Sequence, residues 1–173
     1  MVDDLVDDRR TDPDLEAPER EMLEQWLAFH RVTLLLKCEG LSDAQRKSRP
    51  VGTSNLSLHG LVRHMAEVER GWFQRCLARQ REIPRIWARD DIEDSEMVPL
   101  TDAVWEADLA QWHEECETSV RLSSQHSLED VGLLRSGDSC SLRWILHHMI
   151  EEYARHNGHA DLLRELIDGE VGC

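Results

Sequence analysis

Histidine and glutamate crowd one side of the stretch SLRWILHHMIEEYARHNGHADLLRELIDG, Ser141 to Gly169. It holds His147, His148, His156 and His159, four of the chain's nine histidines. On a helix, at ~100° per residue, His148, Glu152, His156 and His159 fall within ~80° of arc. Imidazole and carboxylate are the donors that zinc and similar divalent ions accept, and side chains three or four residues apart on a helix meet. The same side carries Leu142, Ile145, Met149, Tyr153, Ala160, Leu163 and Ile167 at helical spacing. His156 lies near the middle of this apolar face, and Glu152, His159 and His148 step toward its edge. Imidazoles and a carboxylate on a core-facing seam cost free energy unless hydrogen-bonded or bound to a metal. Spacing alone leaves three readings open: a metal site, a buried polar network without metal, and an ordinary amphipathic helix whose His148 and His159 are surface residues.

One helix rarely offers more than two or three ligands, so a second element must close such a site. The natural donor is His64. It flanks the inward face (Leu58, Leu61, Val62, Met65, Val68, Trp72, Cys76) of a helix that Ser57 can cap and that runs to about Arg79. Two further long helices are expected at Leu15–Glu39, with Gly40 suited to its end, and at Thr101 to about Ser123. Ser42 and Gln45 have the form of a capping box, and Pro50 keeps the helix behind it short. Arg81 to Pro99, with the acidic residues Asp90, Asp91, Glu93, Asp94 and Glu96, is expected as a long surface connection, and Ser127 to Ser141 as a second one. Strand signals are nearly absent. Four long helices with two generous crossings describe an all-α four-helix bundle, the architecture that builds metal sites from side chains on facing helices.

The chain's 173 residues suffice for one core. Residues 1–14 are expected as an acidic flexible arm and 15–173 as a single helical domain. With 20 Lys and Arg against 35 Asp and Glu, the formal charge is −15, which argues against nucleic acid as a partner. A helix-turn-helix DNA-binding role also lacks its basic recognition helix. No apolar run approaches the ~20 residues needed to cross a bilayer, and no signal peptide fits the acidic start, so a soluble cytoplasmic protein is expected. Five widely spaced cysteines without a Cys-x-x-Cys pair argue against a disulfide framework, and Cys38, Cys76 and Cys116 fall in apolar helical contexts that suit inert, buried thiols.

Leu61 to Arg70 with Trp72-Phe73 (LVRHMAEVER, then WF), and Arg143 to Glu152 (RWILHHMIEE) followed by Ala154 to Asp161 (ARHNGHAD), resemble the DinB superfamily, in particular its actinobacterial DinB-like branch. The likeness spans about Leu15 to Gly169. It implies an up-down-down-up four-helix bundle, commonly a homodimer, that holds a divalent metal, zinc first and nickel as the alternative. Carried onto this chain, the family's ligands fall on His64, Glu152 and His156. Glu152 departs from the usual three-histidine pattern. His148 and His159 flank the set, able to substitute in it or to orient its members.

Three protein ligands leave open positions, the mark of a catalytic rather than a structural ion. The resemblance implies a thiol S-transferase using mycothiol or a related low-molecular-weight thiol, with a small electrophile as second substrate. In that reading His159 or His148 accepts a proton, and Arg155 pairs with an acidic group or holds a substrate carboxylate. Two rivals stand beside it: a metal-dependent hydrolase using bound water, and a non-catalytic, stress-associated metal-binding bundle. Arg63, Glu67 and Arg70 are expected on the solvated or salt-bridged side of their helix, and Trp72 and Trp144, near the ligands in sequence, as packing or a pocket wall.

Overall fold

Pro18 sets where the first helix begins. Its ring suits the entry to a helix, and α1 runs Glu19–Cys38, later than the apolar spacing from Leu15 suggests. The computed structural model describes residues 9–89, 95–98 and 100–172. Asp90, Asp91, Glu93, Asp94, Pro99 and residues 1–8 of the expected arm lie outside the described residues. The remainder of that arm lies against α1: Arg9 pairs with Glu39 and the Arg10 guanidinium sits 5.1 Å over the Phe29 ring. Gly40 takes the left-handed conformation (φ 71°) that ends the helical run. Ser42 and Gln45 form the expected reciprocal capping box on α2, Asp43–Lys47.

Ser57 caps α3, Leu58–Glu69, by accepting from the Gly60 N–H at 3.1 Å. The helix does not stay α-helical to Arg79. From Arg70 to Leu77 it widens into a π-helical segment whose buried residues, Phe73, Gln74, Cys76 and Leu77, come in adjacent pairs. Helix α4 is Trp105–Ser124, and α5 is Leu142–Asp168, opened by Ser141 and closed by Gly169 at φ 84°. On α5, Leu142, Ile145, Met149, Tyr153, Ala160 and Leu163 are buried, as their spacing predicts.

The chain is mostly helical, but the second connection holds a small antiparallel hairpin, β1 Val131–Leu133 and β2 Ser139–Ser141, with Gly132 opposite Cys140. Strands of three residues are too short for a period-two pattern to register. Gly132 sets the hairpin hard against the π-helical segment, where a Cβ would lie 2.8 Å from the Cys76 Sγ and 2.9 Å from its carbonyl.

Helix α1 packs most extensively on α5, and α3 on α4. A buried polar cluster reaches all four. The Arg31 guanidinium (α1) forks onto both Glu69 oxygens (α3) at 2.8 Å. The Tyr153 hydroxyl (α5) donates to Glu69 at 2.8 Å, and the Trp112 indole N–H (α4) donates to that hydroxyl at 3.0 Å. Burial opposes charge on Arg31, yet the facing Glu69 carboxylate holds its pKa above the ordinary value. Arg63, Glu67 and Arg70 are salt-bridged, and Arg63 and Glu67 are buried: Glu67 pairs with Arg75 at 3.1 Å, and Arg70 with Glu115 of α4 at 2.6 Å.

Removing one side of a buried ion pair leaves the other charge uncompensated, so Glu69→Ala is expected to cost about 3–5 kcal/mol, while the paired Arg31→Met/Glu69→Leu replacement recovers most of it. Urea unfolding checks this; a Glu69→Ala protein within ~0.5 kcal/mol of the parent removes the cluster's structural role.

Candidate metal centre

His64 stands on α3 one helical turn before Glu67, and Glu152 and His156 stand one turn apart on α5. The two helices pack together, and each of the three residues then offers a ligand atom within 4.8 Å of the others. The His64 and His156 rings lie 4.8 Å apart between centroids. Glu152 faces His156 Nε2 with one oxygen at 3.4 Å and His148 Nε2 with the other at 3.3 Å. All three are partly buried, with side-chain exposures of 27% for His64, 17% for Glu152 and 12% for His156. A second grouping, His148, Glu151 and Glu152, shares Glu152, but its Glu151 is exposed and paired with Arg155.

This donor set fits a divalent ion. Two imidazoles and a carboxylate match the N/O preference of zinc and its neighbours. Ligation needs a neutral imidazole. His156 provides one: burial, then the charges of His64, His159 and Arg155, push its pKa down from 6.5 to about 4, although Glu152 faces it. His64 Nδ1 lies 3.3 Å from Glu96 Oε1. A proton donated there leaves the Nε2 lone pair free, the carboxylate–histidine arrangement that orients metal-binding imidazoles.

The flanking residues divide. His148 forms a three-ring cluster with two indoles, 4.6 Å from Trp72 and stacked at 4.9 Å and 16° on Trp144, the indoles lying 5.2 Å from each other. With its Nε2 on Glu152, it is placed to orient that carboxylate. His159 Nδ1 lies 3.3 Å from His156 Nδ1. His147 is exposed and turned back to the Arg143 carbonyl at 2.8 Å. Arg155 is exposed and paired with Glu151, outside the cluster.

Glu96 stands beside His64 although no periodicity in the sequence places it there. It belongs to a run expected as surface, yet Ser95, Glu96 and Met97 are buried. Gly60 permits this: a Cβ there would come within 3.2 Å of the Met97 carbonyl, so a glycine on α3 lets the connection press onto the helix. A glycine inside a helix costs roughly 0.5–1 kcal/mol against alanine, and it was the one available signal. Arg85 pairs with the second Glu96 oxygen, and the His64 hydrogen bond, opposed by burial, leaves the Glu96 pKa below the ordinary carboxylate value.

These features define a mostly helical protein with a His/Glu group between two helices that could hold a metal ion. A sequence model of the mycothiol S-transferase family matches residues 22–169, and the chain belongs to that DinB-like family. No match was found among curated proteins. Among the described residues, no helix is long and apolar enough to cross a membrane.

Glu96→Gln is expected to weaken metal affinity about 10–100-fold, read by chelator competition, with the fold intact by circular dichroism; unchanged affinity detaches Glu96 from the centre. In the metal-free protein, the neutral His156 contributes fully above its ordinary pKa of 6.5, and that contribution is lost as pH falls toward about 4. Thermal melts across this window should show a shallower acid loss in His156→Gln than in the parent.

Proposed function

We propose that the chain is a metal-dependent thiol S-transferase that joins a low-molecular-weight thiol of the mycothiol type to an electrophilic carbon. The observation that carries the reading is the convergence of His64, Glu152 and His156 from two helices, in a chain whose family is the mycothiol S-transferases. These three side chains would hold a divalent ion, with zinc the first expectation from the donor set and nickel the alternative. When bound, such an ion supplies Lewis acidity that lowers the pKa of a thiol, and thiolate is the competent nucleophile.

The chain's own residues do the rest. His159, partly buried beside His156, accepts the thiol proton. His148, packed against Trp72 and Trp144, holds Glu152 in place. Arg155 would meet a substrate carboxylate only by releasing Glu151, which gives it the outer rim of the site. The new S–C bond forms at the electrophilic carbon as the thiol S–H bond breaks and its proton passes to His159, while the carbon's bond to its leaving group breaks and that group departs with the electron pair.

The finer architecture belongs to the same reading. The four long helices form the up-down-down-up bundle of the superfamily, and two chains associate as a homodimer, which size-exclusion chromatography with light scattering tests.

Elemental analysis of the purified protein is expected to find stoichiometric metal, lost in His64→Ala and His156→Ala. Turnover of a model electrophile should require added mycothiol; turnover independent of thiol overturns the transferase reading in favour of metal-assisted hydrolysis. His159→Gln should keep its metal while kcat falls about 10²–10⁴-fold, the range for losing a general base.

A further inference from the structure

Beside the candidate centre lies a cleft of about 710 Å³, walled by the π-helical segment, the 81–85 loop and the β-hairpin. Its size suits a small molecule. Trp72, Ile83 and Leu134 give it an apolar wall, whereas Arg75, Arg81, Arg85 and Arg135 bring four guanidinium groups to it against the single carboxylate of Glu82. That sign is opposite to the chain's net charge of −15.

Arg75 and Arg85 have nearby carboxylates, Glu67 at 3.1 Å for Arg75, and Glu96 for Arg85. Even so, the buried Arg75 Nε has no acceptor among the described residues. Among the described residues, the Arg81 guanidinium donates only to the Leu134 carbonyl, at 3.4 Å. Arg135, on the hairpin turn, has no ion pair or hydrogen bond among the described residues. Isolated surface arginines are ordinarily just solvated. Here two that have no carboxylate partner among the described residues share one concave, partly apolar cleft. The close approach of Gly132 to Cys76 sets the hairpin, whose turn carries Arg135, against the π-helical segment.

The cleft also touches the centre through two side chains. Trp72 lines the cleft and packs at 4.6 Å on His148. Arg85 lines it and pairs with Glu96, whose other oxygen faces His64.

We propose that this cleft binds the electrophilic substrate as an organic anion, with its apolar body along Trp72, Ile83 and Leu134 and its carboxylate on Arg81 and Arg135. Planar guanidinium groups match a carboxylate in fork geometry, and the indole supplies the apolar face. The proposal rests on the S-transferase reading for calling the ligand a substrate. The binding itself requires neither metal nor thiol.

The test is calorimetric titration of the full-length, metal-free protein with cinnamate, its neutral analogue cinnamyl alcohol, and phenyl phosphate. Cinnamate is expected to bind, and cinnamyl alcohol at least about tenfold more weakly. Arg81→Gln/Arg135→Gln should weaken cinnamate about tenfold or more with an unchanged melting temperature, the two residues being exposed. His64→Ala should bind cinnamate like the parent. Three results would overturn the proposal: no cinnamate binding up to about 10 mM, equal binding of the alcohol, or an unaffected double variant. Phenyl phosphate binding at least about tenfold more tightly than cinnamate overturns the carboxylate assignment. Failure of the transferase reading would show instead in the thiol-dependence assay, leaving this binding result untouched.

Discussion

The pairing of Glu69 with Arg31 is the constraint on which the helical packing turns. Glu69 is fully buried, and a carboxylate in that position is tolerable only with its charge matched and its oxygens hydrogen-bonded. Arg31 supplies the charge, and Tyr153 a further donor. Trp112 then binds the tyrosine hydroxyl. One ion pair thereby ties α1, α3, α4 and α5 to a common point. Satisfying it demands particular rotations of those helices, which apolar contacts alone would leave freer.

Those rotations matter at the candidate centre. Tyr153 directly follows Glu152 and stands one turn before His156, while Glu69 lies further along the helix that carries His64. Fixing the Tyr153 hydroxyl on Glu69 sets how α5 faces α3, and so which α5 side chains meet His64. The polar side chains around the candidate ligands extend this order outward. His148 meets Glu152, Glu96 meets His64, and Arg85 meets Glu96. Each contact reduces the freedom of a side chain that must hold a defined geometry, which is how surrounding hydrogen bonds tune a metal site.

Electrostatics partitions the molecule more sharply than the net charge suggests. Acidic residues dominate overall, but arginines gather around the connections that cover α3 and its π-helical continuation. Some neutralise buried glutamates, as Arg75 does for Glu67 and Arg70 for Glu115. Others face the cleft beside Trp72. Within the π-helical segment Arg70–Leu77, Trp72 and Arg75 line that cleft while Phe73 and Gln74 are buried. Such widened turns recur at functional sites in helices.

The long helices and their ends were legible because their causes are local: Ser57 and Ser141 as caps, Gly169 as a stop, and apolar spacing along α5. The same local periodicity ranked His156 and Glu152 together, and the family pattern added His64. What the residues could not disclose depended on contacts distant in sequence. Three-residue strands carry no usable period, the π-helical segment answers to packing against α4 and the hairpin, and Glu96 reads as one more acid in an acidic run until Gly60 lets its loop sit on α3. Sequence by itself therefore determined the helices, their apolar faces and the donor atoms available to a metal. Tertiary structure alone decided which donors meet, which carboxylate orients His64, and where the arginines gather, because those outcomes depend on helix rotation and loop docking, and both are set by long-range burial and charge pairing.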